Sequence, residues 1–157
     1  MKIIQSGTAT NDKSVAIIIS RFNYFINKNL LEASLDALTR IGNIEEKNIT
    51  VVKVPGAYEI PIIAKNLAKK NSYNAIITLG TIIKGHTEHF KYINQAINHQ
   101  LIKISLHYNI PIAFGILITD NIEQAIERSG LKMGNKGYEA TLSILEMMNI
   151  ISTLNNK

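Results

Sequence analysis

The sequence predicts a three-layer α/β/α domain on a four-stranded parallel sheet, and three observations predict it. Four short apolar runs rich in β-branched residues, at 15–19, 49–54, 75–79 and 110–118, do not alternate cleanly, which is how strands buried on both faces read. Segments of helical period separate and follow them. At 157 residues with 46% apolar residues, the chain suits one core and a single domain spanning 1–157.

Each element is legible in order. Residues 3–9 are available as an extra N-terminal edge strand. The run at 15–19 leads into SRFN at 20–23, then into a helix with Leu31, Leu35 and Leu38 on one face and Gly42 as its C-terminal cap. The run at 49–54 leads into PGAYEIP at 55–61 and a helix carrying Ile62, Ile63 and Leu67. The run at 75–79 leads into GTIIKGHTEHFKYI at 80–93 and a helix marked by Ile93, Ile97, Leu101 and Ile104. After 110–118 come a short helix at 122–127 and a longer one at 138–151. No internal repeat, low-complexity segment or linker interrupts the chain.

Strands alternating with helices imply right-handed crossovers and a sheet covered on both faces. In such a sheet ligands bind beyond the carboxyl ends of the strands, where strand order reverses. If the order is 2-1-3-4, the segments after the first and third strands flank that crevice, so Phe22 and the histidine segment face one ligand.

Composition removes several function classes. There is no cysteine, so disulfides, thiolate metal sites and a cysteine nucleophile are excluded. The N-terminal apolar run is too short for a signal peptide, and no segment has the apolar length to span a bilayer. The expectation is a soluble cytoplasmic protein with no membrane partner. The net charge of +5 favours anionic partners. Its lysines are scattered without interleaved aromatics, which fits a small phosphorylated ligand better than nucleic acid.

Most candidate residues admit a structural and a chemical reading. Phe22 is either a hydrophobic staple ahead of Asn23 as N-cap, or a flat apolar face for a heterocycle. Glu59, three residues after Gly56, caps a helix start or accepts hydrogen bonds from a polyol, with Pro55 and Pro61 holding the turn rigid. His86 and His89 with Glu88 between them are too few for a closed zinc site, and their order is not H-E-x-x-H. His89 could instead be a core histidine beside Phe90. The preferred reading is an acid–base and anion site: Gly85 lets backbone approach a ligand, Thr87 offers a hydroxyl and N–H groups at a helix start, Lys84 adds charge, and imidazole moves protons near neutral pH. Further on, Arg128, Lys132 and Lys136 lie among glycines. Arg128 either complements a helix C-terminus capped by Gly130 or grips a phosphate. Glu139 is a dipole partner or a hydrogen-bond partner of a catalytic imidazole. His99 and His107 are assigned no chemistry.

The motifs SRFN, VPGAYEIP, LGTIIKGHTEHFKYI, PIAFGILITDNIEQAIERSG and GNKGYEA, in this order and spacing, resemble the lumazine synthase family over nearly the whole chain. The resemblance implies a flavodoxin-like fold and a condensation without cofactor or metal in riboflavin biosynthesis. Two small-molecule substrates are joined, 5-amino-6-(D-ribitylamino)uracil and 3,4-dihydroxy-2-butanone 4-phosphate, giving 6,7-dimethyl-8-ribityllumazine with release of phosphate and water. By motif, Phe22 stacks on the pyrimidine with Asn23 nearby, Ala57, Tyr58 and Glu59 bind the ribityl chain, and Thr81 and Ile82 add main-chain contacts. His89 is the implied proton shuttle, assisted by Glu139. Gly85, His86, Thr87 and Arg128 hold the phosphate, with Lys84 supporting, and Phe114 and Lys136 complete the pocket. In the family Phe114, Arg128 and Lys136 come from the adjacent subunit, which implies a homo-oligomer: a pentamer, or twelve pentamers in an icosahedral shell of sixty subunits. The uninterrupted stretch 130–137 favours the shell. Riboflavin synthase is an implied protein partner. Two departures are Lys84, where the family more often has arginine, and His86, where it usually has a small residue. A flavodoxin-like electron carrier would want a hydroxyl-rich loop where SRFN has one serine. A non-catalytic shell protein would have no use for His89, Glu59 and Arg128 together.

Overall fold

Four parallel strands in the order β2-β1-β3-β4 form the central layer of the computed structural model, which describes residues 1–130 and 134–156. The strands are β1 (Val15–Ser20), β2 (Ile49–Val54), β3 (Ala75–Ile83) and β4 (Ile112–Thr119). The helices are α1 (Tyr24–Asp36, running on through a wider π turn at Ala37–Ile41), α2 (Ile60–Lys70, entered through a 3-10 turn at Ala57–Glu59), α3 (His89–Tyr108), α4 (Ile122–Arg128) and α5 (Lys136–Asn155). The expected layered architecture and strand order are therefore present.

Side chains alternate across a strand, so β1 feeds both cores. Val15, Ile17 and Ile19 pack with Leu30 of α1 and Ile144 and Leu145 of α5. Ala16 and Ile18 point the other way, to Ile60 and Ala64 of α2 and Ile97 and Leu101 of α3. All of β1 is buried, as the unbroken VAIII run predicts. The pairing of β1 with β3 runs from Val15↔Ala75 to Ile19↔Leu79 and stops there. Beyond that rung β1 stays with β2 at Ser20↔Val54, and β3 stays with β4 as far as Ile83↔Thr119. The sheet thus opens at the carboxyl ends of β1 and β3, where strand order reverses.

Several expectations are corrected. Residues 3–9 form no strand: the Asn149 side chain on α5 donates to the carbonyls of Gly7 and Ala9, and Thr10 N–H donates to the Gly42 carbonyl. These bonds hold the segment against the helical layer, away from the free edges of the sheet. β2 is not buried on both faces: it is an edge strand with only β1 beside it, and Thr50, Val51 and Lys53 are exposed. On α2 the buried residues are Ile60, Ala64, Leu67 and Ala68, which puts Ile62 on the opposite side, in solvent. On α1 the deepest stripe is Ile26, Leu30 and Ser34, with Leu31 and Leu35 at its flank.

Gly42 does follow the first helix, but with φ −78° it is not the left-handed cap; Asn43 takes that conformation at φ 57°. Glycine is needed at 42 because a Cβ would stand 2.6 Å from the Leu145 side chain. Gly130 after α4 does adopt positive φ, 121°. Among the described residues no helix is long and apolar enough to cross a membrane.

Candidate active site

The turn after β1 is stitched to the turn after β2. Arg21 N–H donates to the Val54 carbonyl at 2.8 Å and Phe22 N–H to the Pro55 carbonyl at 3.0 Å. This extends the strand pairing by two rungs and presents the Phe22 ring at 72% exposure. A ring so exposed is no hydrophobic staple. Asn23 is the residue before α1 but does not cap it: it sits at φ 59° and its side chain makes no cap bond. Its Nδ2 instead donates to the Thr81 carbonyl at 3.0 Å, bridging the two strands that diverge.

After β2, Ala57, Tyr58 and Glu59 form one tight turn. Glu59 Oε2 accepts from Gly56 N–H at 2.8 Å, the capping role its spacing suggests. The carboxylate is half-buried and also lines a cavity of about 440 Å³ with Tyr58, Ile62 and Gln100. Glu59 has no ion-pair partner among the described residues, so it keeps acceptor capacity for hydroxyl groups.

After β3 the chain leaves the sheet with Lys84 N–H donating to the Thr119 carbonyl. Residues 84–89 are exposed, and the N–H groups of Gly85, His86 and Thr87 have no hydrogen-bond partner among the described residues. Apart from Gly85 and its chain neighbours, no heavy atom of the described residues lies within 4 Å of where a Cβ on Gly85 would sit, so that backbone is open to approach. These free donors precede the N-terminus of α3, a twenty-residue helix whose dipole favours an anion there. Glu88 does not spoil that field, because Lys91 Nζ lies 2.5 Å from it and holds its carboxyl below the usual range. The Lys84 ammonium stands 5.8 Å from the centre of the Phe90 ring. His89 opens α3 with its N–H donating to Thr87 Oγ1 at 3.4 Å and its imidazole in solvent, so it is no core histidine.

A second group gathers at the outer edge of the sheet. Phe114, Arg128, Lys136 and Glu139 line one cavity of about 400 Å³ beside β4. Arg128 also walls a neighbouring groove with Phe90 and Asp120. Neither Arg128, Lys136 nor Glu139 has an ion-pair partner among the described residues. Glu139 makes no hydrogen bond to His89 within the chain; it belongs to this second group. Lys132 lies outside the described residues.

Two asparagines that organise the site have no chemical reading in the sequence. Asn27 is fully buried and bonded to Ser20, Phe22 and Thr81. Asn135 accepts from Gly137 and Tyr138 N–H at the start of α5 and donates to the carbonyls of Asn29 and Ser129, fixing the approach to Lys136. The preference of asparagine for helix N-caps was a usable signal for Asn135. For Asn27 the only hint is an amide beside the apolar stripe of Ile26 and Leu30.

An open α/β sheet with an aromatic ring, an imidazole and free backbone donors around its switch point, and two cations without ion-pair partners among the described residues at its β4 edge, has the features of a site for a small anionic ligand. Comparison with known proteins narrows this. The family model described as 6,7-dimethyl-8-ribityllumazine synthase matches residues 12–152. A 6,7-dimethyl-8-ribityllumazine synthase of Buchnera aphidicola subsp. Baizongia pistaciae (strain Bp) is 59% identical over 155 residues, covering 98% of this chain and 98% of the relative. One from Blochmanniella pennsylvanica (strain BPEN) is 51% identical, covering 99% of each chain. The chain belongs to the 6,7-dimethyl-8-ribityllumazine synthase family.

Proposed function

We propose that this enzyme condenses 5-amino-6-(D-ribitylamino)uracil with 3,4-dihydroxy-2-butanone 4-phosphate to 6,7-dimethyl-8-ribityllumazine. The observation that carries the reading is the switch-point crevice, where the Phe22 ring and the His89 imidazole are both solvent-exposed at the carboxyl ends of β1 and β3. Phe22 stacks on the pyrimidine, Asn23 and the backbone at Thr81 and Ile82 lie along its edge, and Glu59 with the Ala57–Glu59 turn accepts the ribityl hydroxyls. The N–H groups of Gly85, His86 and Thr87 hold the phosphate of the second substrate, with Lys84 adding positive charge.

The amine of the pyrimidine adds to the ketone and loses water to give an imine. Phosphate then leaves, and the ribitylamino nitrogen closes the ring with loss of a second water. Each step moves protons between nitrogen, carbon and oxygen, and His89 is the group placed to carry them, worth roughly 10² to 10⁴ in rate. Holding two reactants together supplies the larger factor, since effective molarities for well-oriented partners reach about 10⁵ M or more.

The cavity of Phe114, Arg128, Lys136 and Glu139 at the edge of β4 supports a shared site, in which it completes the crevice of an adjacent subunit and Arg128 grips the phosphate. The reading therefore includes a homo-oligomer, a pentamer or twelve pentamers in a shell, in the cytoplasm, with riboflavin synthase as the enzyme that takes up the product. Purified protein given both substrates is expected to generate lumazine absorbance and stoichiometric phosphate. Absence of both products overturns the activity, and a monomer by light scattering overturns the shared site.

A further inference from the structure

The β1–β3 ladder stops at Ile19↔Leu79, yet Phe22, Asn23, Thr81 and Ile82, which face the crevice, lie two to four residues beyond it. Something other than backbone pairing must set the distance between them. Asn27 occupies that place. It is fully buried on α1, and every polar hydrogen and acceptor direction it offers toward the gap is used: Nδ2 donates to the Ser20 carbonyl at 2.8 Å and the Phe22 carbonyl at 2.9 Å, while Oδ1 accepts from Thr81 Oγ1 at 2.6 Å. Thr81, itself 3% exposed, takes the Asn23 amide on its carbonyl. Ser20 Oγ adds a second bond to the Phe22 carbonyl at 3.2 Å.

We infer that Asn27, through Thr81, is a positioning residue that sets the width of the pyrimidine half of the crevice. The Phe22 ring is exposed and gains almost no packing of its own, so its placement depends on how its backbone is tethered. Three hydrogen bonds hold that backbone, and Asn27 supplies one of them while reaching across to β3. The pair thus replaces the missing rungs of the ladder with side chains. A buried amide left half-satisfied would pull Phe22 and the β3 end apart, because the unpaired groups must reach water or each other.

This inference rests on the reading of Phe22 and the β3 end as the pyrimidine site. The test compares Asn27→Ala and Thr81→Val, the second being isosteric and removing only the hydroxyl that meets Asn27. Ser34→Ala, on the same buried face of α1 but outside this circuit, is the control for removing a buried polar side chain from that face. In steady-state assays the KM for the ribitylamino pyrimidine is expected to rise roughly tenfold to a hundredfold in the first two, with the KM for the phosphate ester within about twofold of wild type. Ser34→Ala is expected to move neither. Circular dichroism establishes which variants fold; if Asn27→Ala does not, Thr81→Val decides alone. Equal rises in both KM values, or folded Thr81→Val with wild-type constants, overturns the positioning role. Wild-type protein that makes no lumazine overturns the underlying reading instead.

Discussion

An imidazole at the first position of a helix, exposed to solvent and beside three unpaired backbone donors, can exchange protons with a bound anion's neighbourhood without giving up any structural bond. His89 is in that situation, since among the described residues only its main-chain N–H is engaged, by Thr87. Replacing it with alanine is therefore expected to lower kcat by roughly 10² to 10⁴ while leaving the unfolding midpoint and assembly size unchanged. Undiminished turnover in folded His89→Ala removes the proton-shuttle role. That Gly85, Thr87 and His89 share one exposed passage was legible in the sequence, because they follow one another along a single strand-loop-helix segment. Glu59 was legible for the same reason, as its partner Gly56 is three residues away. Asn27 was not, because its meaning depends on Thr81, 54 residues distant, and an asparagine inside a helix reads as surface until that partner is seen. Asn23 misled in the opposite direction: its type and place suit an N-cap, but the Thr81 carbonyl at the strand divergence takes its side chain.

Helix α5 approaches α1 more closely than side chains usually permit, and Gly137 is what allows it. A Cβ there would collide with the Leu30 carbonyl and stand 2.9 Å from Ser34 Oγ. Gly137→Ala is expected to cost roughly 1–3 kcal/mol of stability by overpacking, read as a lowered midpoint in chemical or thermal unfolding. An unchanged midpoint would mean that the two helices separate at little cost. The same contact leaves Ser34 Oγ buried with no hydrogen-bond partner among the described residues. Ser34→Ala removes a desolvated hydroxyl that is bonded to nothing, so it is expected to be neutral or to stabilise by up to about 1 kcal/mol, and a clear loss of stability would show that the hydroxyl is in fact satisfied. The bounds of the strands were legible: 49–54 is β2, 15–19 stops one residue short of the end of β1, β3 extends past residue 79 to Ile83, and β4 starts two residues into the run at 110–118. Reading failed where exposure depends on sheet position. An edge strand such as β2 carries the same Val and Ile as a central one, and residues 3–9 have strand-like composition but are held to α5 by Asn149.

At the scale of the molecule, the chain displays more apolar surface than a self-contained domain needs. Tyr92, Ile102 and Leu106 on α3 are exposed, as are Phe22 and Tyr58 at the crevice. The cationic cavity of Arg128 and Lys136 lies on the outer edge of β4, whereas Phe22 and Asn23 lie at the opening between β1 and β3. A heterologous ring contact would bring the edge of one subunit to the crevice of the next, so that every site draws on two chains. Mixing variants tests this directly. His89→Ala keeps an intact Arg128, and Arg128→Ala keeps an intact His89, and each alone is expected to be severely impaired. When the two are unfolded, mixed in equal amounts and reassembled, half of the crevices carry His89, and half of those meet a neighbour carrying Arg128. About a quarter of wild-type activity should then return. If both residues serve the same site from within one chain, no mixed contact contains a complete set, and the mixture will be no more active than the sum of its parts. That outcome would reject the two-chain site while leaving the crevice between β1 and β3, and the chemistry assigned to it, in place.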